Sequence, residues 1–494
     1  MPKLVSPFQT GFVPGRIIHE NIIVAKEMVH SMHRMKGKKG AFAIKVDLSK
    51  AYDKLSWEFI WRVLCEISLP INLVNIIMHS VTSVETNVKW NGARSEYFRP
   101  QRGIRQGDPI SPYLFVLCMD KLSHLILHEV NRGKWCGIKA GRNGHMVSHL
   151  MFADDLLLFG EATELQMNCV IETLNKFCSL SGQEVSQEKT SIYFSKNVNK
   201  EMKNKLVRIS GFKETTSLGR YLGVPLLGRA PKRNDFQYLV DQVEAKLAGW
   251  KAKQLSFAGR VTLAKSVLEA VPIYPMMTTK IPKSCLDDIQ RIQRNFIWGD
   301  TESGKKFHAV SWEKVTTPKW MGGLGLRNLE CMNQACLSKL GWKLFAGADD
   351  YWCQIMRGKY GHDEARASDS SLWKVMVGLK NKIWQNCSWI VGDGRDIEAW
   401  NHVWIEENLV LMQHTTIPQE LQSAKVCDLV DENGCWNWNL MRDWMPLDIQ
   451  RKIAAVLPPH TDNGRDFLAG AGGKCAEFSV SYMYYKLRGY SMDE

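Results

Sequence analysis

Two adjacent acids, Asp154 and Asp155, interrupt an otherwise apolar run, SHLMFADDLLLFG, at residues 148–160. Apolar flanks on both sides predict two buried strands with the acids at the turn between them. Carboxylates about 4 Å apart repel by several kcal/mol at an effective dielectric near 20. A positive partner must offset that repulsion, and Mg2+ (or Mn2+) prefers hard oxygen ligands of this kind. An isolated Asp-Asp pair would read as a solvated turn. A third acid stands in the same setting: in AFAIKVDLSKAYDKLSW (41–57), Asp47 ends a β-like run as Asp154 does. Two strand ends side by side would bring Asp47 and Asp154 to one point. Such a point could hold two cations about 3.5–4 Å apart, the arrangement that in-line phosphoryl transfer uses. Asp53, on the helix that follows, reads as a local cap or ion pair.

Between the acids lies RPQRGIRQGDPISPYLFVLCMDKLSHLI (99–126). Arg99, Arg102 and Arg105 supply charge suited to phosphates. Gln106 offers a donor and an acceptor, and Gly107 would let backbone approach a base or sugar closely. The plainer reading of the stretch is a basic loop leading into a well-capped helix.

The elements that must position these residues follow from texture. Residues 1–225 alternate short β-like runs with amphipathic helices. Residues 226–300 are helical and basic. There Phe257, Val261, Ala264, Leu268 and Val271 form one helical stripe, flanked by Arg260 and Lys265, and Pro272 and Pro275 end the helix. A second helix presents Leu286, Ile289, Ile292 and Phe296 as its buried face. Residues 301–494 hold most of the 18 tryptophans, with helices expected around 330–346 and 371–384. The whole reads as α+β: an antiparallel sheet backed by helices, a small helical bundle, and a mostly helical, tryptophan-rich last third.

Composition bounds the function classes. The 494 residues suit about three domains. The 64 Lys and Arg against 51 Asp and Glu leave a net charge of +13, which permits phosphate-rich partners. The 13 cysteines contain no CxxC, so free thiols in a reducing, nuclear or cytoplasmic compartment are expected, and a zinc site is not. His124 and His128 lie four apart on a helix without an evident third ligand. No run approaches 18 apolar residues, and MPKLVSPFQTG lacks the apolar core of a signal peptide, so no membrane partner is expected.

Taken in order, QTGFVPGRIIHENI, KVDLSKAYDKLSW, RGIRQGDPISPYLF, HLMFADD, QEVSQEKTSIYFS and RYLGVPL resemble the reverse transcriptases of LINE-type, non-LTR retrotransposons, particularly those of plants. KAKQLSFAGRVTLAKSVL, QRNFIWG and WMGGLGLRNL are similar to the downstream part of such elements. The resemblance implies a right-hand polymerase fold: partial fingers and palm over 1–225, a thumb over 226–300, and a C-terminal region over 301–494. It implies an RNA-directed DNA polymerase that takes an RNA template, a DNA primer and deoxynucleoside triphosphates. Asp47, Asp154 and Asp155 correspond to the catalytic, metal-holding acids. Tyr52 corresponds to an aromatic gate against ribose 2′-hydroxyls, although core packing would also explain it. Arg105, Gln106 and Gly107 fall at the incoming-nucleotide contact. Lys189 corresponds to a proton donor for pyrophosphate, or is a solvated charge. Tyr221, Leu222 and Gly223 correspond to the hairpin that grips the primer.

The family's endonuclease domain, early finger motifs and Cys/His segment find no counterpart here, nor does an RNase H constellation. The resemblance therefore implies a truncated copy with weak or absent primer extension. The alternative is a catalytically silent remnant that at most binds nucleic acid. An intron maturase shares the palm chemistry but fits the downstream segments less well. Viral RNA-copying polymerases usually place Gly where Ala153 stands.

Overall fold

The apolar runs at 41–46 and 155–161 become the central strands of a five-stranded sheet in the computed structural model of this chain. The structure describes residues 1–141, 144–248, 255–300, 304, 306–361, 364–406, 409–472 and 477–490. Met1–Ala230 together with Asp349–Gly361 form one unit, and Pro231–Ala348 with His362–Glu494 form the other.

The first unit begins with α1 (Ile18–Arg34) and β1 (Ala41–Val46), then α2 (Ala51–Lys54), α3 (Trp57–Glu66), α4 (Ile71–Thr82) and the hairpin β2–β3 (Lys89–Trp90, Ala93–Arg94). Next come α5 (Ser111–Asn131), the pair β4 and β5 (Ile138–Lys139, Met146–Val147), β6 (His149–Phe152), β7 (Asp155–Glu161) and α6 (Glu164–Ser181). β8 (Ser191–Phe194), α7 (Lys200–Ser210), β9 (Lys213–Thr215) and the hairpin β10–β11 (Arg220–Tyr221, Val224–Pro225) complete the run. The sheet order is β6-β7-β1-β8-β9. It is antiparallel except at one edge, where β8 and β9 run parallel, so the expected antiparallel sheet is in fact mixed.

Both faces of this sheet are covered, which explains why β1 and β7 read as continuous apolar runs rather than alternating ones. Phe42, Ile44, Val46, Leu156, Leu158, Ile192 and Phe194 share one core with residues of α3, α5 and α6. α1 packs against β6 and β1. Full burial of side chains such as Phe42, Phe115 and Phe177 contributes about 1.5–3 kcal/mol each. Local signals set the helix starts. Ser56 Oγ accepts from Phe59 N at α3, Thr163 Oγ1 from Gln166 N at α6, and Pro112 sits in the first turn of α5.

The second unit contains α8 (Arg233–Ala248), α9 (Phe257–Leu263), α10 (Ile273–Met276), α11 (Lys283–Trp298), α12 (Trp312–Val315) and α13 (Leu329–Phe345). The chain returns to the first unit for α14 (Tyr351–Lys359). It then adds α15 (Ser371–Asn386), strands β12 and β13 (Ser388–Ile390, Phe467–Ala469), α16 (Leu447–Ala454) and α17 (Val480–Leu487). α8 packs on α11, and α13 packs on α15 and α17.

The stripe starting at Phe257 is only partly realised. α9 passes into a π-helical turn, Ala264–Leu268, whose wider winding rotates the register. Ala264 and Leu268 are buried, while Phe257 is 45% exposed. In α11 the buried face runs through Leu286, Ile289, Gln293 and Phe296, with Ile292 only half-buried. Lys251–Gln254, the start of one family-like motif, lie outside the described residues. The last third is mostly helical only to Asn386, beyond which α16 and α17 are its α-helices among the described residues. Between the paired strands β12 and β13 it is held by short 3-10 turns and α16 around a core that includes Trp400, Trp404 and Trp436.

The twelve cysteines among the described residues are free thiols. Among the described residues no helix is long and apolar enough to cross a membrane.

Candidate active site

The end of β1 and the β6–β7 turn meet at the same end of the sheet. Val46 pairs with Leu156, so Asp47, the next residue, falls opposite Asp155 as the register continues. Phe152 pairs with Asp155, which leaves Ala153 and Asp154 as a two-residue turn. Ala153 has φ +51°, a left-handed backbone that glycine normally takes at this hairpin position. For alanine that conformation costs roughly 1–2 kcal/mol, so neighbouring contacts must hold it.

Asp154 is exposed, and Asp47 and Asp155 are half-buried. Burial pushes the Asp155 carboxyl above its ordinary range. The charges of Asp154 and Asp47 push the same way, and Lys45 opposes them. The three acids therefore share one electrostatic neighbourhood. Burial, with the charge of Asp154 added, likewise raises the Tyr52 hydroxyl. The Tyr52 ring lies flat on Phe115, centroids 4.4 Å apart and planes 11° apart. Gate and packing partner are thus compatible roles for this ring. Among the described residues, no three His, Cys, Asp or Glu side chains gather closely enough to hold an ion by themselves.

Backbone contacts fix Asp47. Its amide donates to Thr190 Oγ1 (3.2 Å), and its carbonyl accepts from Ser186 N (2.8 Å). Lys189 is exposed in the turn immediately before Thr190, which puts it one residue from that anchor. Lys45, two residues before Asp47, donates from Nζ to the carbonyl of Arg220 (2.6 Å) and so ties β1 to the β10–β11 hairpin. In that hairpin Leu222 (φ +48°) and Gly223 (φ +79°) form the turn. Tyr221 is fully buried and anchors the hairpin, while Arg220 and Gly223 are exposed.

The Arg105–Gln106–Gly107 loop stands beside a cleft of about 600 Å3 whose lining includes Asp53, Trp57, Arg102, Arg105, Gln106 and Asp108. The three acids are not part of that lining. Gly107 has φ +93°, and a Cβ there would meet nothing within 4 Å, so backbone conformation rather than space calls for glycine. Two of the three arginines already face acids: Arg105 Nη2 lies 3.0 Å from Asp108 Oδ2, and Arg99 Nη2 2.7 Å from Glu85 Oε1. His124 pairs with Asp120 at 3.3 Å. Sequence reasoning did not single out Thr190 or Lys45. Their roles rest on contacts over 143 and 175 residues of chain, for which no local pattern exists.

Residues 1–226 match the family described as "Reverse transcriptase (RNA-dependent DNA polymerase)". An Arabidopsis thaliana protein named for ribonuclease H is 31% identical over 274 residues, 53% of this chain and 44% of that protein. The Pol polyprotein of the type-2 retrotransposable element R2DM of Drosophila melanogaster is 31% identical over 183 residues, 37% of this chain and 16% of that protein. A type-1 element R2 polyprotein of Nasonia vitripennis is 25% identical over 430 residues, 84% of this chain and 39% of that protein. The chain thus spans less than half the length of each of these relatives. Residues 1–226 thus match the reverse transcriptase family, and the proteins this chain is similar to include retrotransposon Pol polyproteins.

Proposed function

We propose that the chain is an RNA-directed DNA polymerase of a non-LTR retrotransposon, working by two-metal nucleotidyl transfer on a DNA primer along an RNA template. The observation that carries this reading is the register that sets Asp47 opposite Asp155, beside the exposed Asp154. The donor set fits Mg2+ or Mn2+. It consists of hard carboxylate oxygens close enough that, after burial, the charges of Asp154 and Asp47 add to the upward push on Asp155. Asp47 and Asp154 would hold the cations, with further oxygens from water and the triphosphate. Bound there, the cations would supply charge neutralisation and an activated 3′-hydroxyl.

The chain's own residues do the rest. Asp155 sits behind the tip and deepens the local negative potential. Tyr52, braced by Phe115, occupies the space a ribose 2′-hydroxyl would need. Gln106, Gly107 and Arg105 form the loop that faces the nucleotide, and Arg105 exchanges Asp108 for phosphate. Lys189 is placed to deliver a proton to departing pyrophosphate. The tip at Leu222–Gly223 steadies the primer end, with Tyr221 as its buried root. Residues 1–225 act as partial fingers and palm, and the basic helices of 226–300 act as the thumb along template–primer phosphates. Free thiols fit a nuclear or cytoplasmic setting.

Primer extension on poly(rA)/oligo(dT) with dTTP tests this reading. Divalent-dependent extension that Asp154→Asn abolishes is the expected result. Extension indifferent to Asp154→Asn overturns it. The pairing of Arg105 and Arg99 with acids supports a second reading, a silent chain that only binds nucleic acid. Template–primer binding without extension would select that one.

A further inference from the structure

The segment QTGFVPGRIIHEN, residues 9–21, lies far from the acids in sequence yet closes on the back of their turn. Gln9 is fully buried. Its Oε1 accepts from Ala153 N (3.0 Å) and Gly11 N (2.9 Å), and its Nε2 reaches the Ala153 carbonyl (3.5 Å). One carboxamide thus holds both backbone ends of the residue that bears the positive φ just before Asp154. The neighbouring strand edge is held as well. Gln9 bridges Met151 in parallel, Thr10 N donates to Met151 O (3.0 Å), and Met151 N donates to Phe8 O (2.9 Å). Asn21 Nδ2 donates to the same Met151 carbonyl (2.7 Å).

Two residues set the reach of Gln9. The Arg16 guanidinium gathers the carbonyls of Val5 (2.8 Å), Ser6 and Gln9 (2.5 Å), so it folds the preceding segment back on itself. At Gly11 a Cβ would stand 2.6 Å from Ala153 N, so only glycine lets the two backbones close.

We propose that Gln9 is a positioning residue for the acids: it keeps Ala153 in the left-handed conformation that aims Asp154 and Asp155 toward Asp47. Arg16, Asn21 and Gly11 hold Gln9 in place. A residue strained at positive φ persists only when its surroundings over-determine it, and here they do so with hydrogen bonds to both the N–H and the C=O of Ala153. The inference rests on the polymerase reading for what the acids do, but the clasp itself can be measured without it.

The test uses the full chain and Mn2+ alone as probe. Gln9→Met keeps the volume and removes the clasp. Mn2+ affinity, read by electron paramagnetic resonance, should fall at least tenfold in Gln9→Met with the circular dichroism unchanged. Adding Ala153→Gly should recover most of it, because glycine adopts positive φ unaided. A residue that merely stabilised the fold would not be rescued by a more flexible turn. Wild-type affinity in Gln9→Met, or a loss that Ala153→Gly does not recover, overturns the proposal.

If Asp154→Asn leaves Mn2+ binding of the wild-type background unchanged, the cation reading fails separately. Amide exchange across 150–158 then decides. Tenfold faster exchange confined to that peptide in Gln9→Met upholds the clasp, and unaltered exchange overturns it. Should Gln9→Met not fold, Gln9→Asn replaces it, since Asn keeps the carboxamide uncharged but falls one methylene short of Ala153. Faster exchange confined to 150–158 in Gln9→Asn supports the clasp, and unaltered exchange overturns it.

Discussion

Lys359 is 329 residues or more from its partners in sequence and is buried with them. Its Nζ donates to Glu27 Oε2 (2.8 Å) and to the Glu27 carbonyl (2.8 Å), and it lies 3.2 Å from His30 Nδ1. The side chains are 7% and 1% exposed. Tyr360 Oη donates to the same carboxylate oxygen at 2.7 Å. Replacing Lys359 with Met keeps the length and removes the charge, which leaves Glu27 in low dielectric with fewer partners. Breaking a buried pair from one side costs about 3–5 kcal/mol. The retained Tyr360 hydroxyl argues for the lower end, about 3 kcal/mol. Lys26 is a weak substitute, because burial drags its ammonium down to about 7, only partly offset by Glu27. Urea unfolding of the full chain, followed by a probe in the first unit, should show that loss. Glu27→Gln combined with Lys359→Met should recover most of it, since no buried charge remains. A single variant within about 0.5 kcal/mol of wild type, or a double variant that sums the two losses, would show that the Lys359–Glu27 pair does not act as a buried charge pair. The consequence reaches the site: Tyr351 on α14 meets Phe8 edge-on at 5.4 Å, and Phe8 tilts over His149 at the start of β6.

Further outcomes follow from the same geometry. His149 is fully buried between Ser123 and Ser148, and burial lowers its imidazole to about 3. The unfolded chain therefore binds a proton between pH 6.5 and about 3 that the folded chain does not. First-unit stability should fall by up to about 1.4 kcal/mol per pH unit on acidification through that window. His149→Asn should flatten that slope, and an unchanged slope would contradict the assignment. Gly11→Ala should cost about 1–3 kcal/mol by forcing a Cβ onto Ala153 N, and an unshifted Tm would contradict the close approach. Tyr52→Val should narrow the dTTP-over-UTP preference at least tenfold in single-nucleotide extension, and should also lose a stacking contact of about 0.5–1.5 kcal/mol with Phe115. An unaltered preference would leave Tyr52 a packing residue alone.

The site's strands were legible because β1 and β7 are short apolar runs that stop or start at an acid, and a sheet covered on both faces requires that pattern. The helices expected around 330–346 and 371–384 match α13 and α15 closely. The Phe257 stripe failed because a π turn breaks the 3.6-residue period at Ala264, a change that no residue in the run announces. Gln293 took the core position expected of Ile292 because the buried face of α11 runs one residue further round the helix. The contacts of Gln9, Lys45 and Thr190 with the site are side chain to backbone over long separations, and periodicity carries no trace of them. Between β12 and β13 the Trp-rich region replaces long repeats with short 3-10 turns and α16, so helical spacing could not describe it.

In the polymerase reading Asp47 and Asp154 serve one cation seat, one from the end of β1 and the other from the β6–β7 turn. Mn2+ titration in the presence of template–primer and dTTP, on wild type, Asp47→Asn, Asp154→Asn and the double variant, measures this directly. A shared seat predicts that each single variant weakens binding at least tenfold and that the double variant is little worse than either one, because the first change already breaks the site. Binding that survives both single substitutions, or losses that multiply as for two independent sites, would contradict it.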